Sequence, residues 1–245
     1  MVSPMIVEGL GWVARRRVAV LVTAVLLAVA QQVSLPAVHS RPLDLTIRMV
    51  PSTALILGAA LAVRVFPPAK LVARPAVPAL DTPASPALVL MAASYTSFAA
   101  LLLTTLIRTV ETVSDVWFAA LPVLIIGANL AAVGRLMLTR SGVRLTPDGI
   151  EDRRMYGDLF VPWAALTSPD PAHVTGRRQV GLAIARPDLV RVRGWRVGPR
   201  TLLPAVGVDP DVLARTINEY ATIPDARSTI GSAMPLAGSA TTAVA

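Results

Sequence analysis

Four long apolar stretches occupy most of the first 138 residues and restrict what this chain can fold into. They cover about residues 18–38, 45–66, 86–107 and 116–135. A helix needs about 20 apolar residues to cross the hydrocarbon core of a bilayer, because all its backbone polar groups must be satisfied within the segment. We therefore predict four transmembrane helices that pack as an α-helical bundle.

The composition also indicates a membrane protein. Hydrophobic residues make up 54% of the 245 residues, only 16% are charged, and the mean hydropathy is +0.61. These values exclude a disordered chain and are too apolar for an ordinary soluble domain. The net charge is +8, which we expect to orient the chain and to contact anionic lipid headgroups. The predicted partner is therefore the lipid bilayer and not nucleic acid.

The distribution of basic residues predicts the orientation, because Lys and Arg beside short loops keep those loops in the cytoplasm. One group lies before the first stretch, between the second and third, and after the fourth: Arg15, Arg16, Arg17, Arg64, Lys70, Arg74, Arg135, Arg140 and Arg144. On the other side, three arginines are accompanied by acids: Arg41, Arg48, Arg108, Asp44, Glu111 and Asp115. We expect a multi-pass protein of the cell (inner) membrane with both termini and the 66–86 loop in the cytoplasm.

The start of the chain also resembles a secretory signal. Arg15 to Arg17 would be the basic region, 18–27 the apolar region and Ala28-Val29-Ala30 the cleavage site. Against cleavage, the basic cluster lies well inside the chain and the apolar run continues beyond Ala30. We favour an uncleaved first span.

The connection over 66–87 contains six prolines, which forbid a continuous helix and favour a semi-rigid extended linker between two helical hairpins. The two hairpins contain similar octapeptides. Residues 55–62 and 124–131 are identical at six of eight positions, at an offset of 69. This similarity indicates either a parallel duplication, as in some transporter halves, or only the frequency of Ala, Leu and Ile in membrane helices.

The composition changes after Arg140, where apolar residues begin to alternate with charged ones. We expect residues 1–139 to be the transmembrane region, 140–222 a small cytoplasmic domain and 223–245 a disordered tail. The predicted elements are strands over 143–146, 150–155, 159–161, 180–185 and 189–197. Pro147-Asp148-Gly149 predicts a tight turn, and a last helix begins after Asp209, which is a good N-cap before Pro210.

The run from Gly142 to Ile150, the element Val161-Pro162-Trp163 and the last helix carry a resemblance to a family. Residues 140–222 resemble the bacterial PH-like domains, including those related to the mycobacterial low-molecular-weight antigen 6 type. The chain departs from their pattern at Leu159-Phe160, where basic residues are frequent, and in its Pro-rich 167–178 loop. The resemblance implies a small α+β domain, a partly open β-barrel closed by a C-terminal helix. It does not imply phosphoinositide binding.

The candidate site is a set of arginines that could face the anionic inner leaflet or a protein partner: Arg153, Arg154, Arg177, Arg178, Arg191, Arg193 and Arg196. On the predicted strand over 189–197, Arg191 and Arg193 point to one face and Val190 and Val192 to the other. The alternative is a solvated sheet face, because nearby acids dilute the charge. Trp163 and Trp195 are expected in the core or at its rim and not as ligand platforms.

No catalytic, cofactor-binding or metal-binding residue is predicted. The chain has no Cys, which excludes disulfides and thiolate chemistry, and its two histidines, His39 and His173, are expected to be solvated. Hydrolase, zinc-protease and P-loop motifs are absent from the sequence.

We therefore expect a non-enzymatic membrane protein without a cofactor that presents an interaction domain to a protein partner or to a second copy. The alternative is a small transporter or channel component. It would use polar residues within the predicted spans, namely Ser94, Tyr95, Thr96, Ser97, Thr104, Thr105 and Asn129. We favour helix packing for these residues, because no ionisable side chain lies at mid-membrane.

Overall fold

The computed structural model describes residues 4–34, 41–66, 70–74, 76–109, 113–138, 141–196 and 198–232. The chain divides into two compact units. The helical unit comprises Met1–Phe66 and Ser85–Thr139, and the β unit comprises Pro67–Ala84 and Arg140–Ala245. The predicted boundary at residue 139 is therefore incomplete, because residues 67–84 belong to the second unit although they lie between two apolar helices.

The helical unit contains five helices in its described part. They are α1 (Pro4–Arg15), α2 (Arg17–Ser34), α3 (Arg41–Val65), α4 (Pro86–Thr109) and α5 (Val113–Leu138). Three of them contain segments long and apolar enough to cross a membrane: Thr46–Val65, Pro86–Ile107 and Ala119–Met137. The apolar part of α2 that the structure describes, Arg17–Gln31, is shorter. The end of the predicted first span, 35–38, lies outside the described residues, as does His39.

Small residues on one face of α3 let it pack closely against α4. Ala59 and Ala62 are buried in a cluster with Leu90, and a Cβ added at Gly58 would lie 3.6 Å from Leu90 Cδ1. Their counterparts in the second octapeptide, Ala128 and Ala131, are exposed. The two octapeptides therefore pack differently, and the duplication stays a prediction.

The β unit contains nine strands within the described residues. They are β1 (Val72–Arg74), β2 (Ala79–Asp81), β3 (Gly142–Thr146), β4 (Gly149–Arg153), β5 (Gly157–Pro162), β6 (Ala172–Gly176), β7 (Gln179–Leu182), β8 (Arg191–Gly194) and β9 (Leu202–Pro204). All paired strands are antiparallel. One sheet has the order β1-β2-β3-β4-β5-β8, and the other has the order β6-β7-β9.

The core of the β unit follows from the alternation of residues along the strands. Buried and partly exposed residues alternate along β3 and β5, so that Val143, Leu145, Leu159 and Val161 enter one apolar cluster. Helix α6 (Pro210–Thr222) covers this cluster with an apolar stripe: Leu213, Ile217 and Tyr220.

The prediction at the start of α6 is confirmed. Asp209 caps the helix, because its side chain accepts a 2.8 Å hydrogen bond from the Asp211 backbone N–H, and Pro210 takes the first helical position. The turn over 147–149 is also confirmed, since Leu145 pairs with Ile150 across it.

The predicted linker over 66–87 is wrong in its central part, because β1 and β2 form a hairpin. Val72 pairs with Asp81, and Leu80 in turn pairs with Leu145 of β3, so the hairpin extends the main sheet. The strands are only three residues each, too short for a readable alternation, and the pairing partner lies more than 60 residues along the chain. Long-range pairing of this kind leaves no local signal.

Three further predictions are corrected. The Pro-rich 167–178 loop contains β6, and the strand expected over 189–197 is confined to β8, preceded by a 3-10 helix (Pro187–Leu189). The tail is ordered at its start, because Pro224–Thr229 forms another 3-10 helix and Ile230 is 1% exposed. Gly231 packs against the hairpin, where an added Cβ would clash with the backbone of Pro78. Residues 233–245 lie outside the described part of the chain.

Candidate interaction surface

The structure does not bring the seven predicted arginines into one patch. Arg153, Arg191 and Arg193 lie on the solvent-facing side of the six-stranded sheet. Arg177 and Arg178 are exposed at the turn between β6 and β7 of the other sheet. Arg178 also has an interaction partner within the protein. The remaining two, Arg154 and Arg196, form ion pairs with the buried carboxylate of Asp152.

Charges of opposite sign alternate on the solvent-facing side of the main sheet. Arg144 is paired with Glu151 across β3 and β4, and Asp158 stands between Arg153 and Arg193. The Arg153 Nη2 atom lies 2.7 Å from Glu151 Oε2. Opposite charges across neighbouring strands stabilise a sheet, and here they also neutralise part of the charge on its outer face. This arrangement agrees with the alternative given in the sequence analysis, in which the charged side chains form a solvated sheet face and not a basic contact patch.

Asp152 is fully buried and holds the two arginines that leave the predicted patch. Its Oδ2 atom accepts hydrogen bonds of 2.8 Å from Arg154 Nε and 2.6 Å from Arg196 Nη1. Both guanidinium groups also donate to the carbonyl oxygen of Leu202, at 3.0 and 2.9 Å. These hydrogen bonds therefore connect β4 to β9 of the second sheet. The Arg196 side chain is only 3% exposed, so it stabilises the fold and is not part of an exposed surface.

Two of the predicted arginines remain exposed on the last strand of the main sheet. Arg191 and Arg193 face solvent, while Val192 packs against the core, as the sequence predicts for this strand. Strand β8 pairs with β5 and ends the strand order of its sheet among the described residues. An edge strand leaves alternate backbone N–H and C=O groups free for another chain, and charged side chains limit unspecific pairing there.

Asp81 attaches the hairpin to the rest of the β unit. Its carboxylate lies 2.6 Å from Arg74 Nε and 2.7 Å from Arg144 Nε, so it joins β1, β2 and β3. The hydrogen bond to Asp81 raises the pKa of Arg144, against the lowering effect of burial. Thr82 continues the attachment, because its hydroxyl oxygen accepts a 3.1 Å hydrogen bond from the Val143 backbone N–H.

The two tryptophans singled out in the sequence have opposite environments. Trp163 is 5% exposed, donates from Nε1 to the Thr146 carbonyl oxygen at 2.9 Å, and lies 5.4 Å beneath the Arg227 guanidinium. It belongs to the core, as predicted. Trp195 is 75% exposed, and its ring lies beside that of Tyr156, with the ring centroids 6.4 Å apart. The predicted core or rim position therefore does not hold for the Trp195 ring.

Polar side chains of the apolar helices serve the helices themselves. Asn129 Nδ2 donates to the Ile125 carbonyl oxygen of its own helix at 2.9 Å, and Thr104 and Thr105 form similar bonds within α4. Ser94 Oγ instead donates across to the Ser52 carbonyl oxygen of α3 at 2.9 Å. These contacts support helix packing for the polar residues of the spans.

Titratable ligands show no cluster in the part of the chain that the structure describes. No group of three or more His, Asp or Glu side chains there could hold a metal ion. His173 is exposed on β6, as expected. No family model matches this chain, and comparisons with curated proteins and with solved structures also find no match. The PH-like resemblance therefore stays a prediction.

Two features of this surface are not predictable from local sequence patterns. Asp81 lies within the segment predicted to be a linker. The nearby Arg74, with which it forms an ion pair, is the one feature of that segment that could have indicated its role. Tyr156 precedes β5 and Trp195 follows β8, two strands that are not consecutive along the chain, and no spacing in the sequence indicates such a contact.

Proposed function

We propose that this chain is a multi-pass membrane protein whose β unit is a non-enzymatic interaction module. The observation that carries the proposal is the insertion of the β1–β2 hairpin, from between two apolar helices, into the sheet formed after residue 140. A sheet built from both segments has more than one covalent connection to the helices.

In this proposal α2 is a fourth span, and both termini and the hairpin lie in the cytoplasm. The chain passes through α4 and α5 between the hairpin and β3, and two crossings return it to the same side. Pairing of β2 with β3 supports an even number of crossings between them. The excess of basic residues near these segments supports the cytoplasmic side of the inner membrane.

The β unit is proposed to have a PH-like fold. Seven strands, β3 to β9, and then α6 follow residue 140, and they form two antiparallel sheets with a common core. This order supports the resemblance carried by the sequence. In this chain the hairpin adds two strands to the edge at β3.

The proposed contact for a protein partner is the edge strand β8. Arg191 and Arg193 are exposed there, and an acidic segment of a partner or of a second copy that adds a strand would pair with both the backbone and these charges. The proposal thus uses two of the seven predicted arginines. The other five are assigned to pairs within the fold or lie on the other sheet.

Photo-crosslinking of the full-length protein in its native membrane tests this function. A photoreactive residue replacing Arg191 is expected to give a discrete protein adduct, and Arg193→Glu is expected to remove it. The matched control carries the same residue at Arg215, which is exposed on α6, away from β8. Equal labelling at both positions would contradict the edge-strand contact. Solute flux in proteoliposomes that Asn129→Ala abolishes would instead favour the transporter.

A further inference from the structure

Tyr156 and Trp195 form an exposed aromatic pair at one end of the main sheet. Tyr156 is 42% exposed and Trp195 is 75% exposed, and their ring planes are tilted by 43°. Large aromatic rings with one polar group prefer sites where one end is apolar and the other is wet. The pair therefore has the chemistry of residues found at the boundary of a bilayer.

The backbone beneath the pair is held in place by two glycines. Gly157 pairs with Gly194, which has a φ of +73°, and a Cβ at Gly194 would collide with the Tyr156 carbonyl oxygen. That oxygen accepts a 3.1 Å hydrogen bond from the Trp195 backbone N–H. The close approach that glycine permits thus keeps the two aromatic residues side by side.

The pair lies at the end of the sheet from which the chain leaves for the apolar helices. Gly142, at the start of β3, pairs with Arg153, which pairs with Asp158, which pairs with Arg193. These residues therefore form one row across four strands. Tyr156 and Trp195 lie just beyond this row, at the end where β3 begins.

Short connections join this end of the sheet to two candidate spans. Helix α5 ends at Leu138 and β3 begins at Gly142, while β2 ends at Asp81 and α4 begins at Pro86. Because an extended chain covers at most about 3.6 Å per residue, neither connection can exceed roughly 20 Å. The candidate spans themselves begin at Pro86 and end at Met137, so the lengths of the two connections limit how far the end of β2 and the start of β3 can lie from these span ends.

We propose that Tyr156 and Trp195 insert into the headgroup layer of the membrane that α4 and α5 cross. Tyr and Trp are enriched at this depth of membrane proteins. The proposed occupant is the lipid interface, because the pair lies at the end of the sheet that these short connections join to the candidate spans. This inference concerns lipid and does not depend on the protein partner proposed for β8.

Quenching of Trp195 fluorescence by brominated lipids tests the proposal. The full-length protein is reconstituted in vesicles of phosphatidylcholine and phosphatidylglycerol, with phosphatidylcholine brominated near the headgroup end of its acyl chains. Four tryptophans contribute to the emission, at positions 12, 117, 163 and 195. The difference between the wild type and Trp195→Phe isolates Trp195, and this exposed position should tolerate phenylalanine. We expect the isolated emission to fall at least about twofold in brominated vesicles.

A matched control places a tryptophan at the opposite end of the same sheet. Asp148 is exposed in the turn between β3 and β4, so Asp148→Trp in the Trp195→Phe protein should add emission that the brominated lipids leave unchanged. This control separates insertion of one sheet end from general closeness of the β unit to lipid.

Each outcome decides the question. Loss of Trp195 emission with brominated lipid, together with unchanged emission from position 148, supports the inserted pair. Emission that lipid leaves unchanged, but that iodide on both sides of the vesicle quenches, would overturn it in favour of a solvated pair. Emission that neither agent quenches would overturn it in favour of a pair covered by protein.

Discussion

At the scale of single residues, the fate of the predicted arginines depends on a few carboxylates. Asp152 is buried at the end of β4 and attracts Arg154 and Arg196, which a reading of the sequence places on the surface. A buried carboxylate must be paired, because an isolated charge in the interior costs several kcal/mol. Part of the positive charge of this domain therefore serves its fold.

Removing this buried charge should destabilise the β unit. Asp152→Asn keeps the shape but leaves the nearly buried Arg196 without a counter-charge, and we expect a loss of about 3 kcal/mol in the free energy of unfolding. The measurement is denaturation of the full-length protein in detergent, followed by circular dichroism of the strands. The control is Glu151→Gln, which removes a partly exposed ion pair and should cost less than about 1 kcal/mol. Equal losses would contradict the structural role of Asp152.

Tyr220 should make the β unit sensitive to alkaline pH. Burial raises its pKa above the ordinary value of 10.0, helped by the charge of Glu219 and opposed by a hydrogen bond with Thr229. The unfolded chain therefore loses the phenolic proton at lower pH than the folded chain. Stability from this group is present below about pH 10 and is lost as the pH rises through the raised pKa.

A comparison with Tyr220→Phe checks this expectation. Thermal unfolding between pH 8 and 11 should show a smaller alkaline loss of Tm in the variant, because phenylalanine has no proton to release. Parallel curves for the two proteins would show that Tyr220 does not cause the alkaline loss. The Trp195→Phe variant is a suitable control, because that ring is exposed and titrates no proton.

At the scale of elements, the hairpin is the part of the fold that local patterns could not predict. Prolines in 66–87 correctly exclude a helix there, but they also fit the turn between β1 and β2. By contrast, β3, β4, β5 and α6 were predictable, since each shows alternation or a capping residue within its own sequence. Elements with local signals were found, whereas the short strands β1, β2, β6 and β9 were not predicted.

Replacing the hairpin should weaken the β unit. A Gly/Ser segment of equal length over 72–81 removes Leu80 from the core and turns β3 into an edge strand. Loss of Leu80 packing alone should cost about 2 kcal/mol or more. We expect faster trypsin cleavage within 141–232 of the full-length protein. Val77→Ser, at the exposed turn of the hairpin, is the control and should leave the cleavage rate unchanged.

At the scale of the whole molecule, the pairing of β2 with β3 restricts the membrane topology. The two strands are separated along the chain by α4 and α5, and they can meet only when both segments reach the same side. Within the described residues, three apolar helices are long enough to cross a membrane. Whether α2 also crosses it decides on which side α1 lies.

Labelling of single cysteines should reveal this topology, because the chain has no Cys of its own. Val77→Cys in the hairpin and Ser228→Cys after α6 are both exposed and should react with an impermeant maleimide from the same side. Glu111→Cys, between α4 and α5, should react from the other side. Met5→Cys should share the side of Val77→Cys when α2 crosses the membrane, and the opposite result would establish three spans.

The sequence by itself determined that this is a membrane protein with a separate strand-rich unit and a capped last helix. These properties depend on apolar length, alternation and capping, all of which are read within about 20 neighbouring residues. Only the tertiary structure decided that the hairpin belongs to the β unit, that Arg154 and Arg196 surround Asp152, and that Tyr156 meets Trp195. Each of these depends on residues brought together from distant parts of the chain, and pairing of this kind leaves no mark in local sequence.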